Sequence, residues 1–234
     1  MTDTTTATMS KLTPDALAPF IQHTLIEAGT TREQILAHAR ECVAYGFNAA
    51  MVPGSWVREV AAELAGTGIE IASALDFPVV GVTTSAGKAA EAEQLVIAGA
   101  TQIDIGVQIG WLKSGMFDEF REDIAGVVRA AGVPIKVMLE LPMLTPAERE
   151  VAVELSVEAG AAYLKNASSG SVEVANPATI AWLVERAPDG VLVKASGAIK
   201  SFEQSVALLE AGASLLGTSA GIAIVTGGSA ARSY

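Results

Sequence analysis

The stretch Glu158-Ala159-Gly160-Ala161-Ala162-Tyr163-Leu164-Lys165-Asn166-Ala167-Ser168 sets the pattern of the whole chain. A helical pattern runs into it, Gly160 supplies a helix stop, and a short apolar run follows. That run reads as a buried parallel strand. The same small-residue turn returns as Ala98-Gly99-Ala100 and Ala211-Gly212-Ala213, each ahead of another apolar run. Small residues at the turn let a helix pack closely on the strand that follows it. Outward from there, strand-like runs fall at 21–25, 49–53, 69–77, 102–108, 135–141, 162–167, 191–195 and 214–218. Helical patterns fill the intervals at 31–45, 55–66, 84–99, 116–131, 146–159, 176–187 and 201–212. Thr84, and Thr145 with Pro146 and Glu148, read as helix starts; Gly46, Gly99, Gly160 and Gly212 read as stops. Within 84–99, Ala89, Ala92 and Val96 form the apolar face, and Lys88, Glu91 and Glu93 are polar. Eight β/α units in roughly 200 residues predict a single (β/α)8 barrel, an α/β fold of the TIM type. An open doubly wound sheet is the alternative, but no early Gly-x-Gly-x-x-Gly supports it. The expected organisation is a disordered tail over 1–10, a barrel over 11–225 and a flexible tail over 226–234.

Composition agrees with a buried parallel sheet. Half of the 234 residues are hydrophobic but only 5% are aromatic, so the core is built mostly of Ala, Val, Ile and Leu. The net charge of −11 argues against a nucleic-acid surface, while leaving room for a local phosphate site. No apolar run approaches the ~20 residues that cross a bilayer. The first ten residues lack the apolar segment of a signal peptide. Cys42 is the single cysteine, so no internal disulfide or thiolate cluster can form, and a cytoplasmic setting is expected. Cys42 itself reads as a small core residue on a helix.

Two lysines stand inside apolar runs. Lys165 lies in the stretch quoted above, and Lys194 lies in Val191-Leu192-Val193-Lys194-Ala195-Ser196-Gly197. Lysine is almost never fully buried without a partner. If the two ammonium groups lie close, repulsion and desolvation both favour a neutral amine on one of them. A neutral amine is a nucleophile toward carbonyl compounds and forms Schiff bases. Asp104, in Gln102-Ile103-Asp104-Ile105-Gly106-Val107-Gln108, supplies a carboxylate that can move protons. In a barrel these groups project from the C-terminal ends of strands. A structural Asp–Lys pair inside the barrel is the competing reading. Lys136, early in its own run, is expected to be a structural partner of Glu140 or Asp104.

These residues resemble the deoxyribose-phosphate aldolase family over about 17–225. The match rests on Ile103-Asp104, Ile109-Gly110, Lys113-Ser114-Gly115, Lys165, Lys194-Ala195-Ser196-Gly197 and Gly217-Thr218-Ser219, in that order, with His23-Thr24-Leu25 and Phe77-Pro78. The resemblance implies a class I aldolase that cleaves 2-deoxy-D-ribose 5-phosphate to acetaldehyde and D-glyceraldehyde 3-phosphate. It implies no metal and no organic cofactor. Lys165 would form the Schiff base, Lys194 would tune it, and Asp104 would relay protons, with Tyr234 assisting from the C-terminal tail. Thr24, Ser168, Gly170, Gly197, Ala198, Lys200, Gly217 and Ser219 would hold substrate and its phosphate. The expected partner is a small aldehyde or sugar phosphate, and a homodimer is the expected assembly.

The chain departs from the family pattern at its pocket. Gln22 replaces an acid, Met51 and Pro53 stand in an altered second-strand motif, and Asp76 replaces a glycine. Gln108 replaces an asparagine and Leu141 a threonine. These five positions, Gln22, Met51, Asp76, Gln108 and Leu141, are candidates for the part of the mouth that meets the sugar. Asn166, Ala167 and Ser169 alter the loop after Lys165, and Ala198 and Ala220 replace a glycine and a serine at the anion loops. Either these are drift or the substrate has changed. The alternatives to the main reading are therefore the same imine chemistry on another, non-phosphorylated carbonyl compound, and a non-catalytic anion-binding barrel.

Overall fold

The computed structural model describes residues 12–231 and Ser233; the expectations for 1–10 and for Tyr234 lie outside the described residues. Eight parallel strands close into a barrel in sequence order, with β8 returning to β1. They are β1 (Ile21–Thr24), β2 (Ala49–Met51), β3 (Glu70–Leu75), β4 (Gln102–Gly106), β5 (Ile135–Met138), β6 (Tyr163–Lys165), β7 (Leu192–Ser196) and β8 (Leu215–Thr218). The helices are α1 (Arg32–Tyr45), α2 (Val57–Glu63), α3 (Ser85–Ala98), α4 (Ile109–Lys113), α5 (Phe117–Ala131), α6 (Pro146–Glu158), α7 (Pro177–Arg186), α8 (Phe202–Glu210) and α9 (Gly221–Val225). A 3-10 helix, Pro14–Phe20, precedes β1. The (β/α)8 barrel expected from the sequence is the observed fold. Among the described residues no helix is long and apolar enough to cross a membrane.

Local chemistry explains the boundaries. Thr145 accepts from the Glu148 N–H while Glu148 accepts from the Thr145 N–H, with Pro146 at the first helical position. Thr84 caps α3, and Gly46, Gly99 and Gly132 close α1, α3 and α5 in the left-handed conformation. On α5, Phe120, Ile124, Val127 and Ala131 fall on one buried face at helical spacing.

Alternation along each strand divides the interior in two. Ile103, Ile105, Val137, Leu164, Val193 and Leu216 join the large apolar cluster between barrel and helices. Their neighbours Asp104, Lys136, Lys165 and Lys194 turn into the barrel, where a second small cluster of Ala49, Met51 and Ala72 also sits.

The strands are shorter than the apolar runs that announced them. Leu139 and Leu141 lie beyond β5, yet both are buried and still donate backbone hydrogen bonds to Lys165 and Asn166. Burial continues past the ladder into the loops, so an apolar run overstates strand length. The short helix α4 was not expected from the sequence. Lys88, read as polar surface on α3, is fully buried. Its ammonium donates to the Gly106 carbonyl at 2.9 Å, pairs with Asp123 and lies 3.7 Å from Asp76. Residues distant in sequence supply those anions, and helical periodicity carries no sign of them.

Cys42 is buried on α1, as expected, and burial pushes its thiol up. Beside it, His23 and His38 stack with ring centroids 4.5 Å apart, and the His38 ring nitrogen Nε2 lies 3.1 Å from the His23 carbonyl. Burial lowers His23 to about 4; burial and then the charge of His23 lower His38 to about 3. Both rings are thus held neutral. In the unfolded chain they take up protons below about pH 6.5. The stability they lend is complete above that pH and is lost as pH falls toward about 4 for His23 and about 3 for His38. Each pH unit across the window costs up to about 1.4 kcal/mol per ring. His38→Gln keeps a donor for the His23 carbonyl but removes a titrating ring. Thermal melts between about pH 7 and about pH 4.5 should fall less steeply for this variant than for the native chain. Parallel slopes would show that His38 contributes nothing to the acid sensitivity.

Candidate active site

Four charged side chains meet inside the barrel. Strand register brings them there: Asp104 pairs across from Lys136, and Lys165 pairs across from Lys194. Asp104 Oδ2 accepts from Lys165 Nζ at 2.9 Å and from Lys194 Nζ at 2.6 Å. Lys136 Nζ lies 3.3 Å from Asp104 Oδ1, an ion pair without hydrogen-bond alignment. Of the two partners expected for Lys136 the structure selects Asp104; Glu140 instead accepts from the Ser168 N–H at 2.6 Å. All four groups are almost wholly out of solvent.

That burial decides the electrostatics. Burial alone would push the Asp104 carboxyl up, but Lys165, Lys194 and Lys136 outweigh it and hold the group well below the usual carboxylate range. Lys136 is lowered to about 7, first by burial, against the pull of Asp104 and with the repulsion of Lys194 and Lys165. The arrangement therefore contains a carboxylate that stays ionised and amines crowded by like charge. Such a set can add an amine to a carbonyl and move the protons involved.

Lys194 has a second acceptor, Gln22 Oε1, at 2.6 Å. Gln22 lies on β1 inside the barrel and is fully buried. Of the other four mouth candidates, Asp76 and Gln108 meet at Thr83, while Met51 and Leu141 pack in separate apolar clusters. Met51 packs with Ala49 and Ala72. Asp76 adopts φ +53 and its carboxylate accepts from the N–H groups of Gly81, Val82 and Thr83 and from the Thr83 hydroxyl. Gln108 donates to the Thr83 carbonyl at 2.6 Å, so these two side chains tie down the loop between β3 and α3. Leu141 sits in the main apolar cluster, its N–H donating to the Asn166 carbonyl.

The candidate anion loops gather after β6, β7 and β8. Gly197 has φ +117, and a Cβ there would come within 2.0 Å of the Glu173 carbonyl oxygen, so only glycine fits. Ala198 follows at φ +50, and a Cβ at Gly170 would lie 2.8 Å from its methyl. The Ser168 N–H is engaged by Glu140, and the Lys200 N–H donates to Gln204 Oε1 at 2.9 Å. Gly217 pairs with Gln22 and Ser196, and Thr24 turns its hydroxyl back to the Gln22 carbonyl. The Ala220 N–H donates to Thr218 Oγ1 at 2.9 Å. Ser233 comes within hydrogen-bonding distance of the Thr218 hydroxyl, 3.0 Å, and of Ser219, 3.4 Å. Upstream, Ser229 bridges to Ser201, and the Ala230 N–H donates to the Lys200 carbonyl. The C-terminal segment thus passes over the ends of β7 and β8.

Two groups escaped the sequence reading as site elements. Asn166 donates to the Ser196 carbonyl and accepts from the Ser196 N–H, clasping the ends of β6 and β7. Glu140, at φ +50, fastens the loop after β6 to the loop after β5. Both are polar residues in apolar runs, the same signal that exposed the lysines. A cavity of about 420 Å³ opens over β1–β3, lined by Ile26, Val52, Trp56, Ala74 and Phe77. Ala74 pairs with Asp104, so this cavity borders the charged centre. The larger cavity, about 570 Å³, lies between α3 and α5 and holds none of the candidate residues.

No protein-family model matches the sequence. Individual proteins do. The deoxyribose-phosphate aldolase of Brevibacillus brevis is 40% identical over 209 residues, spanning 89% of this chain and 94% of the relative. That of Methanothermobacter thermautotrophicus is 40% identical over 220 residues, spanning 94% and 98%. Among solved structures, the tetrameric deoxyribose phosphate aldolase of Aeropyrum pernix superposes with a TM-score of 0.84 at 29% identity, covering 93% of each chain. The aldolase QR15 gives a TM-score of 0.84 at 26% identity, covering 90% of this chain and 94% of its own. Similarity of this extent, over nearly the full length of the relatives, places the chain in the deoxyribose-phosphate aldolase family.

Proposed function

We propose that this protein is a class I aldolase that cleaves 2-deoxy-D-ribose 5-phosphate through an imine on Lys165. The observation that carries this reading is Asp104 held between Lys165 and Lys194 inside the barrel, in a chain of this family. Repulsion from Lys194 and desolvation favour the neutral amine of Lys165. That amine adds to the C1 carbonyl, and loss of water leaves an iminium. The proton on the C3 hydroxyl departs to a base, the C2–C3 bond breaks, and its electrons flow into the iminium to give an enamine. D-Glyceraldehyde 3-phosphate leaves. Protonation at C2 and hydrolysis then release acetaldehyde and restore the lysine. Asp104, ionised and bonded to both lysines, is the group that relays protons between them and the reacting atoms, with Tyr234 assisting. The imine step requires neither metal nor organic cofactor. A cytoplasmic homodimer completes the reading; the Aeropyrum pernix relative is a tetramer.

Two departures from the family pattern in the anion loops motivate a second substrate class as a competing reading. The Ala198 methyl points against Gly170, and Ala220 lacks the hydroxyl of the family pattern. Losing a hydrogen bond to a charged group costs roughly 1.5–3 kcal/mol. A non-phosphorylated carbonyl compound is therefore the reading next in line.

Borohydride reduction in the presence of acetaldehyde, followed by peptide mass mapping, should place a stable adduct on Lys165. An adduct on Lys194 or Lys136 would sink the assignment, and no adduct at all would leave a binding protein. Asp104→Asn should reduce turnover by ~10²–10⁴-fold. It should also destabilise the fold by about 3–5 kcal/mol, because three buried lysines lose their shared anion. Turnover at the native level would remove Asp104 from the chemistry. Ala198→Gly combined with Ala220→Ser should raise the ratio of kcat/KM for 2-deoxyribose 5-phosphate over 2-deoxyribose. If the native protein already prefers the phosphate ester by ~10⁴-fold, about 5.5 kcal/mol, the anion loops are intact and the second reading falls.

A further inference from the structure

The sequence holds two histidines, and the fold brings both to one place behind β1. Strand alternation turns Gln22 into the barrel and His23 outward, where its ring packs on His38 of α1 and on Phe47. His38 and Glu41 stand three residues apart on α1, a spacing that puts both side chains on one face. One nitrogen of each ring and one carboxylate oxygen of Glu41 all lie within 4.8 Å of one another. Among the described residues no other three side chains of His, Cys, Asp or Glu converge in this way.

A neutral imidazole has one N–H and one lone pair. His38 Nε2 lies 3.1 Å from the His23 carbonyl, which only accepts, so Nε2 carries the N–H and Nδ1 the lone pair. His23 cannot satisfy both of its nitrogens. Nε2 stands 3.3 Å from Glu41 Oε2, and Nδ1 has no aligned hydrogen-bond partner among the described residues. A proton on Nε2 serves Glu41 and leaves a bare lone pair buried at Nδ1. A proton on Nδ1 leaves the Nε2 lone pair facing a carboxylate oxygen, two acceptors with nothing between them. Either arrangement is costly for a buried group. A cation bound between Nε2 and Glu41 relieves the second one, with the ring proton then on Nδ1; the Thr218 backbone favours a proton on this ring.

The surroundings fit a metal ion. A metal-bound histidine usually donates its other N–H to a carbonyl or carboxylate, as His38 already does. Around a tetrahedral Zn2+ with bonds of about 2.0–2.1 Å, ligand atoms stand about 3.4 Å apart. His23 Nε2 and Glu41 Oε2 are at that spacing, and bringing in the third donor from within 4.8 Å takes side-chain rotation. Glu41 is half-exposed, which gives an ion a way in and leaves a position for water. Two imidazoles and a carboxylate suit Zn2+ and its transition-metal neighbours, whereas Mg2+ and Ca2+ take oxygen ligands.

We infer that His23, His38 and Glu41 form a binding site for a divalent transition-metal ion of the Zn2+ class, which ties β1 to α1 on the outer side of the barrel wall. The ion stands apart from Asp104 and the lysines and takes no part in the imine step. Untagged protein treated with a chelator and then titrated with Zn2+ should bind one ion per chain. At about 100-fold excess over Kd the melting temperature should rise by roughly 5–10 °C. Mg2+ should produce no such rise. Because the chain has two histidines, their ring 15N resonances report ligation without overlap, and both should move with Zn2+. Outer-shell partners alone are worth about 10–100-fold in metal affinity. Loss of a ligand in His38→Leu or Glu41→Gln should therefore weaken Zn2+ binding by at least ~10-fold. If His38→Leu does not fold, Glu41→Gln, at a half-exposed position, carries the test. Zn2+ affinity unchanged in the folded variants places the ion elsewhere and overturns the inference. So does a native chain in which neither the melting temperature nor the ring resonances respond to Zn2+, or one that Mg2+ stabilises equally.

Discussion

One carboxylate, Asp104, is the electrostatic centre of the barrel. Three lysines end within 3.3 Å of it, on strands β5, β6 and β7. Burying an ammonium group without compensation costs several kcal/mol. Asp104, and for Lys194 also Gln22, meets these lysines at contact distance and offsets that cost. Among the described residues these three lysines share this one carboxylate as an ion-pair partner. Burial first, then the repulsion of Lys194 and Lys165, lowers Lys136 to about 7 against the pull of Asp104. The same crowding that makes the centre costly to fold makes it able to hold an amine in its neutral, nucleophilic form.

Around this centre the loops are held in conformations that side chains ordinarily avoid. Asp76, Glu140 and Ala198 all have φ near +50, and they follow β3, β5 and β7. The left-handed conformation costs roughly 1–2 kcal/mol for a residue with a Cβ. Asp76 offsets it by gathering four donors of its own loop, and Glu140 by accepting from the Ser168 N–H. The Ala198 side chain is a bare methyl, which has no polar atom with which to do the same. Its backbone turn serves the loops after β6 and β7, where Gly197 and Gly170 allow close approach. The surrounding contacts at these strand ends are what hold such conformations in place.

A second buried ion cluster, Lys88 with Asp123 and Asp76, lies outside the charged centre and fastens α3 to α5 and to the end of β4. Ser85 adds a hydrogen bond to Asp123 at 2.7 Å. The barrel therefore uses buried lysine twice: once where, among the described residues, three lysines meet Asp104, and once where Lys88 has two carboxylates and a carbonyl within reach. The first arrangement favours reactivity and the second favours rigidity.

The sequence by itself determined the eightfold β/α alternation, the single domain, the helix caps at Thr84 and Thr145 and the glycine stops. It also marked Lys165, Lys194 and Asp104 as charged groups in apolar runs that need partners when buried. These follow from local chemistry, because caps, stops and the burial cost of a lysine are properties of a residue and its near neighbours. The tertiary structure decided which charges meet. That Lys136 pairs with Asp104 and not Glu140, that Gln22 supports Lys194 from 172 positions away, and that Lys88 is buried all depend on strand register and on loops that converge across the barrel. The same holds for the contacts of Asp76, Gln108 and Leu141, which the sequence offers as candidates for the part of the mouth that meets the sugar. In the fold Asp76 and Gln108 hold the loop after β3 and Leu141 packs in the main apolar cluster, because an altered residue announces a change but its partners are set by contacts remote in sequence.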